Sequence, residues 1–231
     1  MTRFVVPPGK KTGCNYRKST FGSVCSIWAE KMPVMTASEI EEAIAARQLG
    51  GVRGRDAIQE IFDQDGVGSC AAEACTQGVQ STRVRQNLPY VQFSPWFLYH
   101  HSSGGTDNGS SIDENLQIAR DIGIASMAAW PRSKGWRGKP SAEAYADALN
   151  NRLWEFYEIS SKTEAQTALV KDFFVQFGHD SHSELMVDIL DLNNADVANS
   201  WSKTWNGDGF HKFPFSGINW GYGCFAFRAA E

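Results

Sequence analysis

Residues 63–74 read DQDGVGSCAAEA, a glycine-containing turn that ends at a cysteine and continues into a run of small residues. Small residues recur at helical spacing from there, which predicts a closely packed helix from about Ser69 to Gln86. Cys70 therefore opens a helix, where the helix dipole and the free backbone N–H groups stabilise a thiolate. A small buried residue is the alternative for a lone cysteine. Cys70 is thus a candidate nucleophile that needs partners elsewhere in the chain.

The chain around this helix divides into a helical first part and a strand-rich second part. Thr36 and Glu39 form a capping box that predicts a helix over 37–49. Further helices are predicted from Ser94–Pro95 through Tyr99, from Ile112 to about Asp121, and over about 163–171. From residue 156 onward the β-prone runs are FYEIS, FFVQF, LMVDIL and GFHKFPF. This order predicts an α+β protein whose second part is an antiparallel sheet or barrel, with a boundary near Trp130–Pro131.

The composition is that of a globular protein with its own core. Of 231 residues, 42% are hydrophobic and 12% aromatic, and 22 Lys and Arg against 26 Asp and Glu give a net charge of −4. That balance argues against a nucleic-acid partner, and no apolar run approaches the ~18 residues of a membrane span. Five cysteines and an N-terminus without a signal-peptide pattern predict free thiols in a reducing, cytoplasmic compartment.

Two other motifs are weaker than they first look. Residues 66–71 fit the G-x-G-x-x-A dinucleotide pattern, but RVRQNLPYVQF (83–93) lacks the acid expected about 20 positions later. Two histidine pairs lack Cys or carboxylate companions at zinc spacing; they are His179 with His182, and His100 with His101. We therefore predict no cofactor and no metal site.

The second part supplies the partners that Cys70 needs, in the order of a Cys-His-Asn system. His182 is the candidate base, and Asn199 follows 17 residues later across a turn-rich stretch, so one hairpin could bring the two together. The Asn199 amide would orient the imidazole, and Trp201 would line the site and shield that bond from water. Gln64, six residues before the cysteine, could donate to an oxyanion together with the backbone N–H of Cys70.

Together these residues resemble the papain-like cysteine peptidase family. The motifs that carry the resemblance occur in the family's order over residues 63–210: DQDGVGSCAAEA, FSPWFLYHH, DNGSSIDENLQIARDIGI and NSWSKTWNGDGF. The resemblance implies Gln64 as oxyanion donor, Cys70 as nucleophile, His182 as base and Asn199 as orienting amide. It also assigns one short strip to pairing with the substrate backbone, namely Asn108, Gly109 and Ser110. Two carboxylates lie near the site: Glu73 follows Cys70 on the same helix, and Asp188 stands where the family commonly has a glycine.

The resemblance implies a papain-like α+β fold with a helical N-terminal lobe, an antiparallel β-barrel C-terminal lobe and the active-site cleft between them. We expect residues 1–50 to form an N-terminal extension, with 51–130 as the helical lobe and 131–231 as the β-barrel lobe. Residues 1–35 are predicted to be an extended arm whose apolar side chains cover a surface. The stretch WPRSKGWRGKPSAEAY (130–145) resembles papain-like domains encoded by tailed bacteriophages.

Two functions follow from these observations. The first is a cysteine peptidase that cleaves peptide or protein substrates through a Cys70 acyl-enzyme. The alternative is a structural or interaction protein of a phage virion, bound to other virion subunits through residues 1–35. Neither function involves nucleic acid or a membrane.

Overall fold

The computed structural model describes residues 5–15, 26–51, 53–220 and 225–229 of the chain. Its helices are α1 (Trp28–Lys31), α2 (Ala37–Leu49), α3 (Cys70–Arg85), α4 (Pro95–Ser102), α5 (Ile112–Asp121), α6 (Ala142–Leu149) and α7 (Lys162–Val170). Its strands are β1 (Ser26–Ile27), β2 (Leu153–Glu158), β3 (Phe174–His179), β4 (His182–Asp191), β5 (Asn194–Ala198), β6 (Phe210–Pro214) and β7 (Phe225–Ala229). None of the helices in these ranges is long and apolar enough to cross a membrane.

The predicted helices are confirmed, most closely where caps or periodicity marked them. At α2, Thr36 Oγ1 accepts the backbone N–H of Glu39 and the Glu39 carboxylate accepts the backbone N–H of Thr36. The helix α4 continues three residues beyond the predicted Tyr99, to Ser102. The sequence predicted none of α1, α6, β1, β5 and β7, and α1 is a short helix within the stretch expected to be an extended arm. The strand β5 begins within the stretch LDLNNAD, where asparagines and aspartates favour turns but the hairpin with β4 imposes a strand.

The strands form one open sheet of seven strands in the order β1-β2-β7-β3-β4-β5-β6. Neighbouring strands are antiparallel except for the parallel pair of β1 and β2. The α+β fold class is confirmed, but within the described residues the sheet is not closed into the expected barrel. The reason is that β1 and β6 lie at opposite edges, so no strand pairing joins them.

The helix α3 is the centre of the core. All thirteen residues from Cys70 to Thr82 are buried, because small residues allow other elements to pack on every side of it. Helices α4 and α5 pack against it, and strands β3, β4 and β7 cover its sheet side. A second apolar cluster, which includes Ile40 of α2 and Ala168 of α7, covers the opposite face of the sheet. The N-terminus of α3 is therefore fixed against β4.

The N-terminal arm is described in part. Residues 1–4 and 16–25, with Phe4, Phe21 and Val24 of the predicted apolar set, lie outside the described residues, as do Cys25 and Cys224. Trp28 is fully buried in the cluster on the outer face of the sheet. The domain limits at residues 50 and 130 stay predictions.

Candidate active site

Cys70 is the first residue of α3 and its side chain is fully buried. The backbone carbonyl of the next residue, Ala71, accepts a 2.8 Å hydrogen bond from Gln176 Nε2 on β3. Gln176 Nε2 also donates to Ser183 Oγ on β4 at 3.0 Å. These bonds tie the start of the helix to the hairpin that carries the candidate base.

The hairpin of β4 and β5 brings His182 and Asn199 together. Asp180 and Ser181, both with positive φ, form the two-residue turn between β3 and β4, so His182 begins β4 directly after it. The strand β5 then returns the chain to Asn199, and His182 Nε2 lies 2.8 Å from Asn199 Oδ1. Because a carbonyl oxygen only accepts, Nε2 carries the hydrogen and the neutral ring keeps its basic lone pair at Nδ1.

Trp201 lies against His182, and Gln64 lies against Ser200, the residue that follows Asn199. The Trp201 ring stacks on the His182 imidazole with centroids 4.5 Å apart and covers its face. Gln64 is fully buried, and its Oε1 accepts a 2.9 Å hydrogen bond from Ser200 Oγ. That bond fixes the amide so that its Nε2 donor is aimed away from Ser200, toward the peptide described next.

The N-terminal segment, residues 10–15, lies across Cys70. Its backbone pairs with Ser110 on one side, where Ser110 N donates to Gly13 O at 2.8 Å. On the other side Cys14 N donates to Ser181 O at 2.8 Å. We call the groove bounded by Ser110 and Ser181 the cleft. Gln64 Nε2 donates to the carbonyl of Lys11 at 2.7 Å, so a peptide carbonyl already lies at the candidate oxyanion donor.

The strip Asn108, Gly109 and Ser110 is one wall of this cleft. Cys14 forms a parallel bridge with Ser110, and Asn15 contributes two further bonds, from its backbone to Ser110 O at 3.0 Å and from its side chain to Asn108 O at 3.2 Å. Gly109 has φ near +81°, and a Cβ there would lie 1.9 Å from Gly13 O. The strip therefore pairs with an extended peptide backbone, here the chain's own.

Lysines anchor the N-terminal segment to carboxylates beside the cleft. Lys11 Nζ lies 2.7 Å from Asp107 Oδ2, and Lys10 Nζ lies 2.5 Å from Asp63 Oδ1. The other oxygen of Asp107 accepts from Gly68 N at 2.8 Å and from the Tyr99 hydroxyl at 2.9 Å. The strip, the turn before Cys70 and the N-terminal segment thus meet at one carboxylate.

Burial governs the protonation of the two candidate catalytic groups. It raises the pKa of the Cys70 thiol to about 12, although the backbone N–H groups of Ser183, Gly13 and Ala71 point at the sulfur and lower it. Burial also lowers the pKa of His182 to about 4. With the cleft covered, the pair consists at neutral pH of a thiol and a neutral imidazole. The helix N-terminus alone would favour the thiolate, but burial raises the pKa of Cys70 by more than the backbone N–H groups lower it.

No protein-family model matches the chain, and no curated protein sequence matches it. Solved structures do. Xylellain, a cysteine protease from Xylella fastidiosa, superposes with a TM-score of 0.71 over 99% of this chain and 100% of its own, at 18% identity. The chain has the papain-like fold. Digestive procathepsin L 3 of the Tenebrio molitor larval midgut (TM-score 0.65, 18% identity) covers 90% of this chain and 74% of its own. Procathepsin B S9 from Trypanosoma congolense (0.63, 15%) covers 95% and 87%.

Two of the buried carboxylates in this papain-like fold are Glu73 and Asp188. Glu73 is fully buried on α3, 2.7 Å from Arg132 Nη2 and 3.1 Å from Ser69 Oγ, and burial raises its pKa to about 7. Asp188 accepts hydrogen bonds from the backbone N–H of Gly54 at 2.6 Å and from Arg47 Nη2 at 3.0 Å. Both were noticed in the sequence, and both have partners in the fold.

A third carboxylate, Glu184, was missed. It is fully buried on β4, two residues after His182, and it binds two other histidines. Its only signal in the sequence was that a charged residue stands in a strand whose other buried positions are mostly apolar. Of the histidine pairs considered for metal, His179 and His182 face each other across the β3–β4 hairpin. Among the described residues no three His, Cys, Asp or Glu side chains are arranged to hold a metal ion.

Proposed function

We propose that the protein is a papain-like cysteine peptidase that cleaves peptide bonds through Cys70. The observation that carries the proposal is the peptide backbone lying across Cys70, with the Lys11 carbonyl 2.7 Å from Gln64 Nε2 and the chain paired to Ser110. A groove that binds an extended peptide in this way presents a carbonyl to an oxyanion donor beside a cysteine and a histidine. These are the parts that acyl transfer requires.

The reaction uses each residue at a stated atom. His182 Nδ1 takes the proton of the Cys70 thiol, and the thiolate sulfur attacks the carbonyl carbon of the scissile peptide. Gln64 Nε2 and the backbone N–H of Cys70 stabilise the oxyanion. The C–N bond then breaks and the amine leaves with the proton from His182. Water hydrolyses the thioester, His182 again accepting and returning the proton, while Asn199 holds the ring through Nε2.

The described conformation is the covered form of this peptidase. The N-terminal segment fills the cleft, and burial keeps Cys70 protonated and His182 neutral. Turnover therefore requires the segment to leave. This also bears on the predicted role of residues 1–35 in binding virion subunits, because the described part of the arm that reaches the cleft covers the chain's own surface. That contact supports the peptidase over the structural alternative.

The test compares the full chain with its Gly13→Ala variant, whose added methyl group would lie 2.2 Å from Gly68 O and so opposes docking of the segment. We expect the variant to degrade an unfolded protein such as reduced casein, and Cys70→Ala in the same background to abolish this. Equal cleavage with and without Cys70 would contradict the proposal. An uncovered Cys70 that reacts with alkylating reagents but supports no cleavage would instead favour the structural alternative, which sedimentation of the chain tests directly.

A further inference from the structure

Glu184 is a buried carboxylate beside the candidate base. Its Oε1 lies 4.0 Å from His182 Nε2 and 2.9 Å from His211 Nε2, and its Oε2 lies 2.5 Å from His179 Nε2. The three histidines come from three places, His179 from the end of β3, His182 from the start of β4 and His211 from β6. Both oxygens of Glu184 therefore accept hydrogen bonds from ring nitrogens.

The surroundings keep this carboxylate ionised. Burial alone would raise the pKa of Glu184, but the hydrogen bonds from His179 and His211 and the charge of neighbouring histidines outweigh burial and hold it far below its usual range. A buried anion is tolerated when its oxygens are satisfied in this way. His182 therefore has a fixed negative charge 4.0 Å from its Nε2, and both side chains are fully buried.

No other charged group described near Cys70 and His182 places a buried negative charge beside the imidazole. From α3 the facing titratable group is Cys70, and from β3 and β6 they are His179 and His211. Asp180 lies 3.8 Å from His179 Nδ1, but its side chain is 71% exposed and solvent screens it. Asn199, which binds His182 directly, is an uncharged amide. Glu184 is thus the one buried anion described around the imidazole.

We propose that Glu184 is a positioning residue of this active site, whose buried carboxylate stabilises the imidazolium that His182 becomes when it takes the Cys70 proton, while His179 and His211 hold the carboxylate in place. The inference rests on the proposed function, because the imidazolium forms only if His182 accepts the Cys70 proton. The geometry of Glu184 and the three histidines supports it independently. Asn199 orients the ring, and Glu184 supplies the charge that a neutral amide cannot.

The charge acts more strongly on His182 than on Cys70. Glu184 raises the pKa of both groups, which favours the imidazolium and disfavours the thiolate. Because the carboxylate is 4.0 Å from the ring and is only a minor influence on the sulfur, the balance favours the thiolate–imidazolium pair. Removing the charge should therefore reduce the fraction of that pair at mildly acidic pH, while the free thiolate at alkaline pH is not reduced and gains slightly.

The test measures alkylation of Cys70 by iodoacetamide at pH 5.5 and pH 9.5, with peptide mapping, in the full-length wild-type chain and in Gly13→Ala. For Glu184→Gln, which keeps the size of the side chain, we expect the ratio of the two rates (pH 5.5 over pH 9.5) to fall about tenfold. Asp188→Asn is the matched control, because Asp188 is a buried, hydrogen-bonded carboxylate on the same strand. Its ratio should stay that of the parent, and Glu184→Asp should recover part of the loss.

Two results would overturn the inference. One is an unchanged ratio in Glu184→Gln. The other is an equal fall in Asp188→Asn. A merely structural role would show as faster labelling of the buried Cys75 at both pH values, without a change in the Cys70 ratio. Failure of the proposed function is separate, because a chain that cleaves nothing can still show the altered ratio, and a chain that cleaves normally can lack it.

Discussion

A methyl group added at Gly13 should displace the N-terminal segment from the cleft, because there is no space for a Cβ at this position. A Cβ at Gly13 would lie 2.2 Å from Gly68 O and 2.7 Å from Gly68 Cα, well inside contact distance, and both atoms belong to the backbone of a buried residue. The segment must therefore move by more than an ångström. That shift breaks at least the bonds from Ser110 N to Gly13 O and from Cys14 N to Ser181 O.

Two hydrogen bonds at about 1 kcal/mol each lower the free energy of opening by about 2 kcal/mol, which is roughly a thirtyfold larger open population. Gly13→Ala should then react with iodoacetamide at Cys70 about thirty times faster than the wild type at pH 7, since the reagent reaches the thiol only in the open state. Rates are read by mass spectrometry of the peptide that contains Cys70. Val5→Ala is the control within the arm, because Val5 is 75% exposed.

Cys75 is the internal reference. It is fully buried on the same helix, and burial raises its pKa well above the usual range of a thiol. If Cys75 reacts faster by the same factor, Gly13→Ala has loosened the whole core and the argument about the segment is wrong. An acceleration at Cys70 below threefold, or the same acceleration in Val5→Ala, would refute the docking energy assigned to the two bonds.

Three further predictions concern the core and the base. Because burial raises the pKa of Glu73 to about 7, the folded chain holds a proton that the unfolded chain releases, and the free energy of unfolding should fall between about pH 4.5 and pH 7; Glu73→Gln should flatten this slope in urea titrations. Arg132→Met leaves the Glu73 carboxylate without its cation and should cost about 3 kcal/mol at pH 8, and less at pH 5, by the same titrations. Asn199→Ala removes the 2.8 Å bond to His182 and should lower kcat roughly tenfold to a hundredfold with little change in KM, measured in the Gly13→Ala background.

Much of the site was predictable because its parts are local. The turn before Cys70, the helix it opens and the 17-residue spacing from His182 to Asn199 are all visible in the sequence, and a hairpin of that length must return the chain beside its start. Helix α2 was predictable to the residue, since its capping box fixes the start. Strand β5 was not, because pairing with β4 overrides the turn preference of its asparagines and aspartates.

The rest depended on contacts between distant residues. In the cleft, the N-terminal segment pairs through Gly13 with Ser110 and through Cys14 with Ser181. No sequence pattern at either residue of these pairs predicts its partner. The raised pKa of Cys70 has the same origin in part, because residues 10–15 contribute to the burial of its thiol. Glu184 was overlooked for a related reason, since its partner His211 is 27 residues away.

The N-terminal segment is covalently part of the molecule whose cleft it fills, so it competes with substrates as an intramolecular ligand. Beyond it, Ser26 pairs with β2 at the edge of the sheet, so the released residues 10–15 stay within the reach of a short stretch of chain. Covalent attachment of an occupant to its own site gives an effective concentration on the order of millimolar, which a substrate at micromolar concentration cannot match. A single cut between residues 15 and 26 would turn the occupant into an ordinary dissociating peptide and make its release depend on dilution.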